Sequence, residues 1–316
     1  KKILEQGIEV IGVYFTIPFL KNEPDYQGEK HLNIPLLYVD LGRDFQEILL
    51  NPKFGFGKNI NPCIDCRILM FKKAGALMIQ EGASFIISGE VLGQRPMSQS
   101  KKNLFLISEE SGFGKYILRP LSALLLPETE PERCHIVKRG ELLDIQGRSR
   151  KRQIDLARQW GIENYPSPAG GCKLTEPGYA HRIKDLLIKG KYDFNDLELL
   201  KVGRHFNIYK FVKLVVGRNE KENKIILSLA SPEDYLLNSP THKGPVALVR
   251  CYNNLAEKNE EIDNILDLAS KITTRYCDKE ESADLIDINI SKNNKIIKKL
   301  KQVPSLSEQS IKNYLI

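Results

Sequence analysis

Cys63 and Cys66 stand two residues apart in Asn61-Pro62-Cys63-Ile64-Asp65-Cys66, and a third thiol, Cys172, closes the run Ser167-Pro168-Ala169-Gly170-Gly171-Cys172. A two-residue spacer lets one turn of backbone aim both sulfurs at a single point, as a metal ion, an iron–sulfur cluster or a redox dithiol requires. Pro-Ala-Gly-Gly puts Cys172 on an irregular loop as well. Three thiols without a fourth leave a coordination position open, which suits chemistry more than structure. Asp65, between the paired thiols, is placed to orient a ligand or to act as acid or base, and a solvated loop carboxylate is the plainer alternative. Cys134, Cys251 and Cys277 have no such context and are expected to be ordinary buried or partly buried thiols.

The elements that must position these groups follow from the apolar pattern. Residues 1–6 read as the end of a helix closed by Gly7. Residues 8–15 and 36–39 read as β-branched, apolar strands, with a short helix over 44–50 between the second of them and the cysteine pair. A helix over 67–80 follows the pair, and residues 83–89 form a third strand ending on Gly89. Strands alternating with helices predict right-handed crossovers and a mainly parallel α/β sheet, Rossmann-like in layout. Ligands of such sheets bind at the carboxyl ends of the strands, where Tyr14, Phe15 and Gly89 fall. A helix over 154–160 follows the basic run Arg148-Ser149-Arg150-Lys151-Arg152. The texture changes near Glu176, which divides the chain into domains 1–175 and 176–316. The second domain reads as smaller and α+β: a helix over 181–188, strands over 211–216, 224–230, 246–251 and 284–290, and an amphipathic helix over 259–276. Lysine-rich 292–301 reads as a solvated face or a phosphate-contacting patch, the solvated face being the plainer reading.

At 316 residues the chain is long enough for two cores, and its 41% hydrophobic and 28% charged content is that of an ordinary globular protein. A net charge of +7 favours an anionic partner such as RNA. No apolar run approaches the roughly 20 residues that span a bilayer, and the start turns polar too early for a secretory signal. Six irregularly spaced cysteines do not make a disulfide framework, so a cytoplasmic, reducing setting is expected.

At Asn61-Pro62-Cys63-Ile64-Asp65-Cys66, at Ser88-Gly89-Glu90-Val91-Leu92-Gly93-Gln94-Arg95-Pro96-Met97-Ser98-Gln99 and at Pro168-Ala169-Gly170-Gly171-Cys172, the sequence resembles the tRNA thiouridylases. These are PP-loop ATP pyrophosphatases with an adenine nucleotide alpha hydrolase-like fold, related to the tRNA 4-thiouridine synthases and 2-thiouridylases. More loosely, Val216-Gly217-Arg218-Asn219 and Gly244-Pro245-Val246-Ala247-Leu248 resemble an RNA-binding module of the NFACT type. The resemblance implies an ATP-dependent tRNA sulfurtransferase: ATP with Mg²⁺ adenylates a uridine carbonyl, and sulfur from a sulfide or persulfide donor displaces AMP. It implies that Cys63, Cys66 and Cys172 hold a [4Fe-4S] cluster. The alternatives are Cys66 and Cys172 as a persulfide and resolving pair, or a zinc site. Nucleotide contacts are expected from Tyr14, Phe15, Gly89 and Arg95, and tRNA backbone contacts from Arg148, Arg150, Lys151 and Arg152. In the second domain Arg218, Lys243 and Arg250 are further RNA candidates.

One departure is large. The signature Ser-Gly-Gly-x-Asp-Ser, whose amides cradle the pyrophosphate, belongs just before the helix tail at Lys1 and is absent. The sequence therefore reads as N-terminally truncated, and the chain as given is expected to be inactive. Two rivals follow: a non-catalytic RNA-binding protein, and a zinc-stabilised PP-loop enzyme acting on a small molecule.

Overall fold

The structure, a computed structural model, describes residues 1–17, 19, 33–162, 172–190, 192–252, 259–278 and 285–316. It divides into two compact units, Lys1–Thr175 and Glu176–Ile316.

The first unit opens with one 3-10 turn, Leu4–Gln6, closed by Gly7 in the left-handed region (φ 75°) that a Cβ disfavours. β1 (Gly12–Thr16) and β2 (Leu36–Asp40) pair in parallel, with Tyr14 opposite Tyr38. The Asp40 side chain accepts from the Gly42 N–H at 3.0 Å and so starts α1 (Gly42–Leu50), which buries Phe45 and Leu49. α2 (Cys63–Gln80) follows, then the two-residue β3 (Ile86–Ile87) and α3 (Lys101–Ser111). Ser100 caps α3 by accepting the Asn103 N–H. β4 (Ile117–Leu118) pairs in parallel with β3, and α4 (Lys151–Gln159) completes the set. Ile64, Ile68 and Phe71 of α2 pack with Ile107 and Ile117. A Cβ on Gly75 would meet the Phe113 ring at 2.2 Å, so bare backbone lets α2 close on that ring.

The parallel Rossmann-like sheet expected from the sequence is not there. Among the described residues the parallel strands form only two separate pairs, β1–β2 and β3–β4. The physical reason lies in the strands themselves. β3 and β4 are two residues long, with too few ladder groups to recruit neighbours, and all five residues of β1 are half-buried. A strand inside a doubly covered parallel sheet is buried on both faces.

The extended sheet belongs to the second unit and is antiparallel. After α5 (Pro177–Lys189) and α6 (Phe194–Leu199) come β5 (Arg204–Tyr209), β6 (Val212–Val216), α7 (Glu220–Ser228), β7 (Tyr235–Asn238) and β8 (Ala247–Cys251). α8 (Asn259–Arg275), β9 (Leu285–Lys292), β10 (Lys295–Pro304) and α9 (Glu308–Lys312) finish the chain. The six strands run in the order β10-β9-β7-β8-β6-β5, every neighbouring pair antiparallel. One face, carrying Leu214, Leu237, Val249 and Ile288, packs on Leu266, Ala269 and Ile272 of α8. On the other face Val215 and Leu248 pack with Ile226 of α7 and Leu199 of α6. Cover on both faces is why all five residues of β6 are buried, each aliphatic side chain contributing about 1.5–3 kcal/mol.

Residues 224–230, expected as a strand, lie mostly in α7. Asn219 accepts the Glu222 N–H, and Lys224 pairs with Glu220 one turn back. These local devices outweigh the β-branched run Ile225-Ile226. Lysine-rich 292–301, expected as a solvated face or a phosphate-contacting patch, runs from the end of β9 through the turn into edge strand β10.

Candidate functional site

The cysteine pair sits on the first turn of α2 itself, since the helix starts at Cys63 rather than after Cys66. The turn leading into it is held by close backbone approach. The Gly57 N–H donates to the Asn61 carbonyl at 2.9 Å, and a Cβ on Gly57 would lie 2.4 Å from the Asn61 amide nitrogen. That amide is thereby aimed at Cys63, donating to its Sγ at 3.0 Å. Asp65 is buried and holds a different loop: its two oxygens accept the Lys53 N–H at 2.9 Å and the Phe54 N–H at 3.2 Å. Its carboxylate is thus engaged by backbone, which anchors the segment before the cysteines.

Cys172, far away in sequence, lies within electrostatic range of both Cys63 and Cys66. Pro168, Ala169, Gly170 and Gly171, the rest of its motif, lie outside the described residues. Burial pushes the Cys66 thiol up to about 12, against the pull of the neighbouring Arg67; the charges of Cys172, Cys63 and Asp65 push the same way as burial. The Cys172 thiol is also raised, again chiefly by burial, although the Leu174 and Thr175 amides and Arg95 favour its thiolate. Both are therefore protonated thiols at neutral pH.

Arginines surround the thiols. Burial lowers the Arg95 guanidinium from its ordinary value, and positive Arg67 and Arg150 add to this, while Cys63 and Glu90 oppose it. Glu90 is buried and pairs with Arg119 at 3.0 Å and with Arg67 at 3.7 Å. Arg119 also donates to Ser108 Oγ at 3.1 Å. The sequence motifs pointed to Arg95 and contained Glu90, but they gave no sign of Arg67 and Arg119. The signal available for Arg67 was its position directly after Cys66 on a helix.

The fit of these residues to a metal or cluster can be judged from their arrangement. Among the described residues, no group of three or more His, Cys, Asp or Glu is placed to hold a metal ion. On this arrangement of the described residues the three thiols are not gathered into a ligand set for a [4Fe-4S] cluster or zinc.

Tyr14 and Phe15 are half-buried on β1, with the Tyr14 ring 5.9 Å from that of Tyr38. Gly89 follows β3 with open space where a Cβ would stand, so nothing steric demands glycine there. Arg148, Lys151 and Arg152 are exposed and Arg150 is half-buried at the start of α4. Arg152 is engaged by Asp144 at 2.6 Å, a hydrogen bond that lowers the Asp144 carboxyl below its usual range.

In the second unit Arg250, a candidate RNA contact, is committed to internal acceptors. It is buried and donates to Asp234 and, through Nη1 at 2.7 Å, to Asp196. Burial opposes its charge, but the bonds and charges of Asp234 and then Asp196 more than offset that and hold it above the ordinary guanidinium value. Arg218 pairs with Glu222, and Lys243 is exposed. His205 is buried with Nε2 2.7 Å from the Val202 carbonyl, and burial keeps it neutral. Of the three cysteines without a motif, Cys277 is buried and Cys251 half-buried, whereas Cys134 is exposed. No helix among the described residues is long and apolar enough to cross a membrane.

Residues 203–315 match the family described as the NFACT protein RNA binding domain. An RNA-binding domain is therefore present over β5 to α9. None of the curated proteins matches the chain. The chain is also similar to the C-terminal part of the fibronectin/fibrinogen-binding protein from Streptococcus suis. That likeness has 13% identity and a TM-score of 0.30 over 80% of this chain and 100% of that one, too low to carry an argument.

Proposed function

We propose that this protein binds RNA through residues 203–315, with tRNA as the RNA class. The observation that carries the reading is the family match over those residues, which fall on a single well-packed sheet with a basic edge. Arginine and lysine outnumber acidic residues by 47 to 40 in the chain, which favours a polyanion. The test is a titration of the full chain into labelled tRNA, with duplex DNA of similar length as competitor, at two salt concentrations. Binding that weakens with salt and resists the DNA supports the reading. No binding at 50 mM salt overturns it, and equal competition by DNA reduces it to non-selective polyanion binding.

A second reading is favoured by one observation: Cys172, remote in sequence, comes within electrostatic range of Cys63 and Cys66 beside Arg67 and Arg95. In that reading the protein is a tRNA-uridine sulfurtransferase, with ATP and Mg²⁺ as cofactors and Cys66 and Cys172 as the sulfur-handling pair. Because the thiols do not fit a cluster, the sulfur is carried as a cysteine persulfide received from a persulfide donor. Arg67 and Arg95 then serve to favour the thiolate and to hold phosphate. The test is persulfide formed on the full chain given a persulfide donor, read by mass spectrometry of the alkylated peptides, a step that needs no ATP loop. Persulfide that disappears in C66A and in C172A supports this reading; persulfide that persists in both overturns it.

A further inference from the structure

The β9–β10 hairpin is built to present charge. Its turn, Asn293-Asn294, has both residues in the left-handed region (φ 48° and 59°), the geometry of a tight two-residue hairpin that asparagine tolerates. Residues 285–304 contain five lysines and one aspartate. The hairpin's core side is settled: Ile286, Ile288 and Ile290 are buried in the main core, and Lys298, opposite Ile290, reaches Asp263 of α8 at 2.5 Å. Lys292 is engaged by Glu233 at 3.1 Å, and the Asp287 carboxylate accepts the Gln302 N–H. Among the described residues, these carboxylates of the hairpin and its neighbours are thus engaged. Lys295, Lys299 and Lys301 are exposed and have no ion-pair partner among the described residues. Lys299 stands opposite Asn289, on the face away from the isoleucines.

Two further observations separate this from an ordinary solvated strand. β10 is the outermost strand of the sheet, and Ile296 and Ile297, beside the lysines, are 52% and 54% exposed. Exposed apolar residues rimmed by charge mark an interaction surface.

We propose that Lys295, Lys299 and Lys301 of β10 form the contact surface for the RNA phosphate backbone. The inference rests on the RNA-binding reading above and goes further by locating the contact. Charge complementarity selects the occupant: three exposed ammonium groups on one edge strand attract a polyanion, and each releases counterions when it meets a phosphate.

The test uses the full chain with a labelled single-stranded RNA, comparing wild type with the K295Q/K299Q/K301Q variant. Two variants serve as controls: K295R/K299R/K301R, which keeps the charge, and K101Q/K102Q/K115Q, which removes three exposed lysines from the first unit. Three lost phosphate contacts lower the slope of log K against log salt by about 2, from about 0.7 per contact on single strands. The same figure makes wild type weaken about 20-fold more than the glutamine variant between 50 and 200 mM salt. The arginine variant and the first-unit control are expected to retain the wild-type slope. If wild type binds RNA and the glutamine variant keeps its slope, the location is overturned while the RNA-binding reading stands. If wild type binds neither this RNA nor labelled tRNA, both fall. Displacement of the RNA by polyglutamate as readily as by unlabelled RNA assigns the strand to an acidic protein and overturns the proposal.

Discussion

Replacing Arg250 with alanine is expected to unfold the second unit's core at much lower denaturant while bearing on RNA only through folding. Arg250 lies on β8, between β7 and β6, and its guanidinium serves four acceptor atoms: both Asp234 oxygens (Oδ1 at 3.0 Å, Oδ2 at 2.6 Å), Asp196 Oδ1 at 2.7 Å and the Leu229 carbonyl at 2.9 Å. Asp196 and Asp234 are 6% and 3% exposed. Truncation leaves two buried carboxylates with only the Asp193 and Ser231 amides and the Tyr252 hydroxyl, among the partners described, to hold them. Breaking a buried ion pair from one side costs about 3–5 kcal/mol. With a urea slope of about 2 kcal/mol/M, the midpoint falls by roughly 1.5–2.5 M. The assay is urea unfolding of the full chain followed by circular dichroism, with Arg218→Ala as reference. That exposed one-turn pair with Glu222 is expected to cost about 0.5 kcal/mol or less. Adding Asp196→Asn and Asp234→Asn to Arg250→Ala is expected to recover part of the loss, because the orphaned charges go with the arginine. An Arg250→Ala midpoint within about 0.5 M of wild type, together with lost RNA affinity, would refute the reasoning and return Arg250 to the RNA surface.

Lys213, buried on β6 beside Asp185 at 3.0 Å, is lowered to about 8 by burial, with Asp185 opposing the shift. Its folded value lies below its unfolded one, so the unfolded chain binds the extra proton and stability rises with pH from about 8 until the unfolded lysine titrates near 10.4. The rise is about 1–3 kcal/mol in unfolding experiments across that window, and Lys213→Met abolishes it. Thiol labelling with iodoacetamide is expected to take exposed Cys134 first, and Cys66 slowly, its rate climbing about tenfold per pH unit without a plateau below pH 10. A plateau near pH 8, read by mass spectrometry of the labelled peptides, would contradict the burial argument. Asp65→Ala strips the acceptors from the Lys53 and Phe54 amides and is expected to cost about 1–3 kcal/mol in thermal unfolding, whatever its effect on activity.

The second unit's central elements were legible because their pattern is local. Residues 211–216 and 246–251 are β-branched apolar runs, and β6 and β8 lie there. β5 was hidden, since Arg204-His205-Phe206-Asn207 is mostly polar and its burial depends on partners distant in sequence, such as Leu315 opposite Phe206. β10 was hidden by its lysines, which composition alone reads as solvated. In 224–230 the isoleucines spoke for a strand, while the Asn219 cap and the Glu220–Lys224 pair decided for a helix. The parallel sheet was inferred from the order of elements. Order fixes how strands could connect, not whether two-residue segments such as Ile86–Ile87 and Ile117–Leu118 can pair beyond each other. At the thiol site, spacing brought Cys63 and Cys66 together and motif context added Cys172. Burial, which decides their protonation, and the ion pairs of Glu90 with Arg67 and Arg119 are tertiary facts that no spacing encodes.

The most direct test of RNA binding through residues 203–315 is ultraviolet crosslinking of the full chain to a labelled tRNA, followed by mass spectrometry of the crosslinked peptides. The account predicts crosslinks within 203–315, among them peptides from 295–301. Crosslinks confined to the first unit, for example at 148–152, would contradict it.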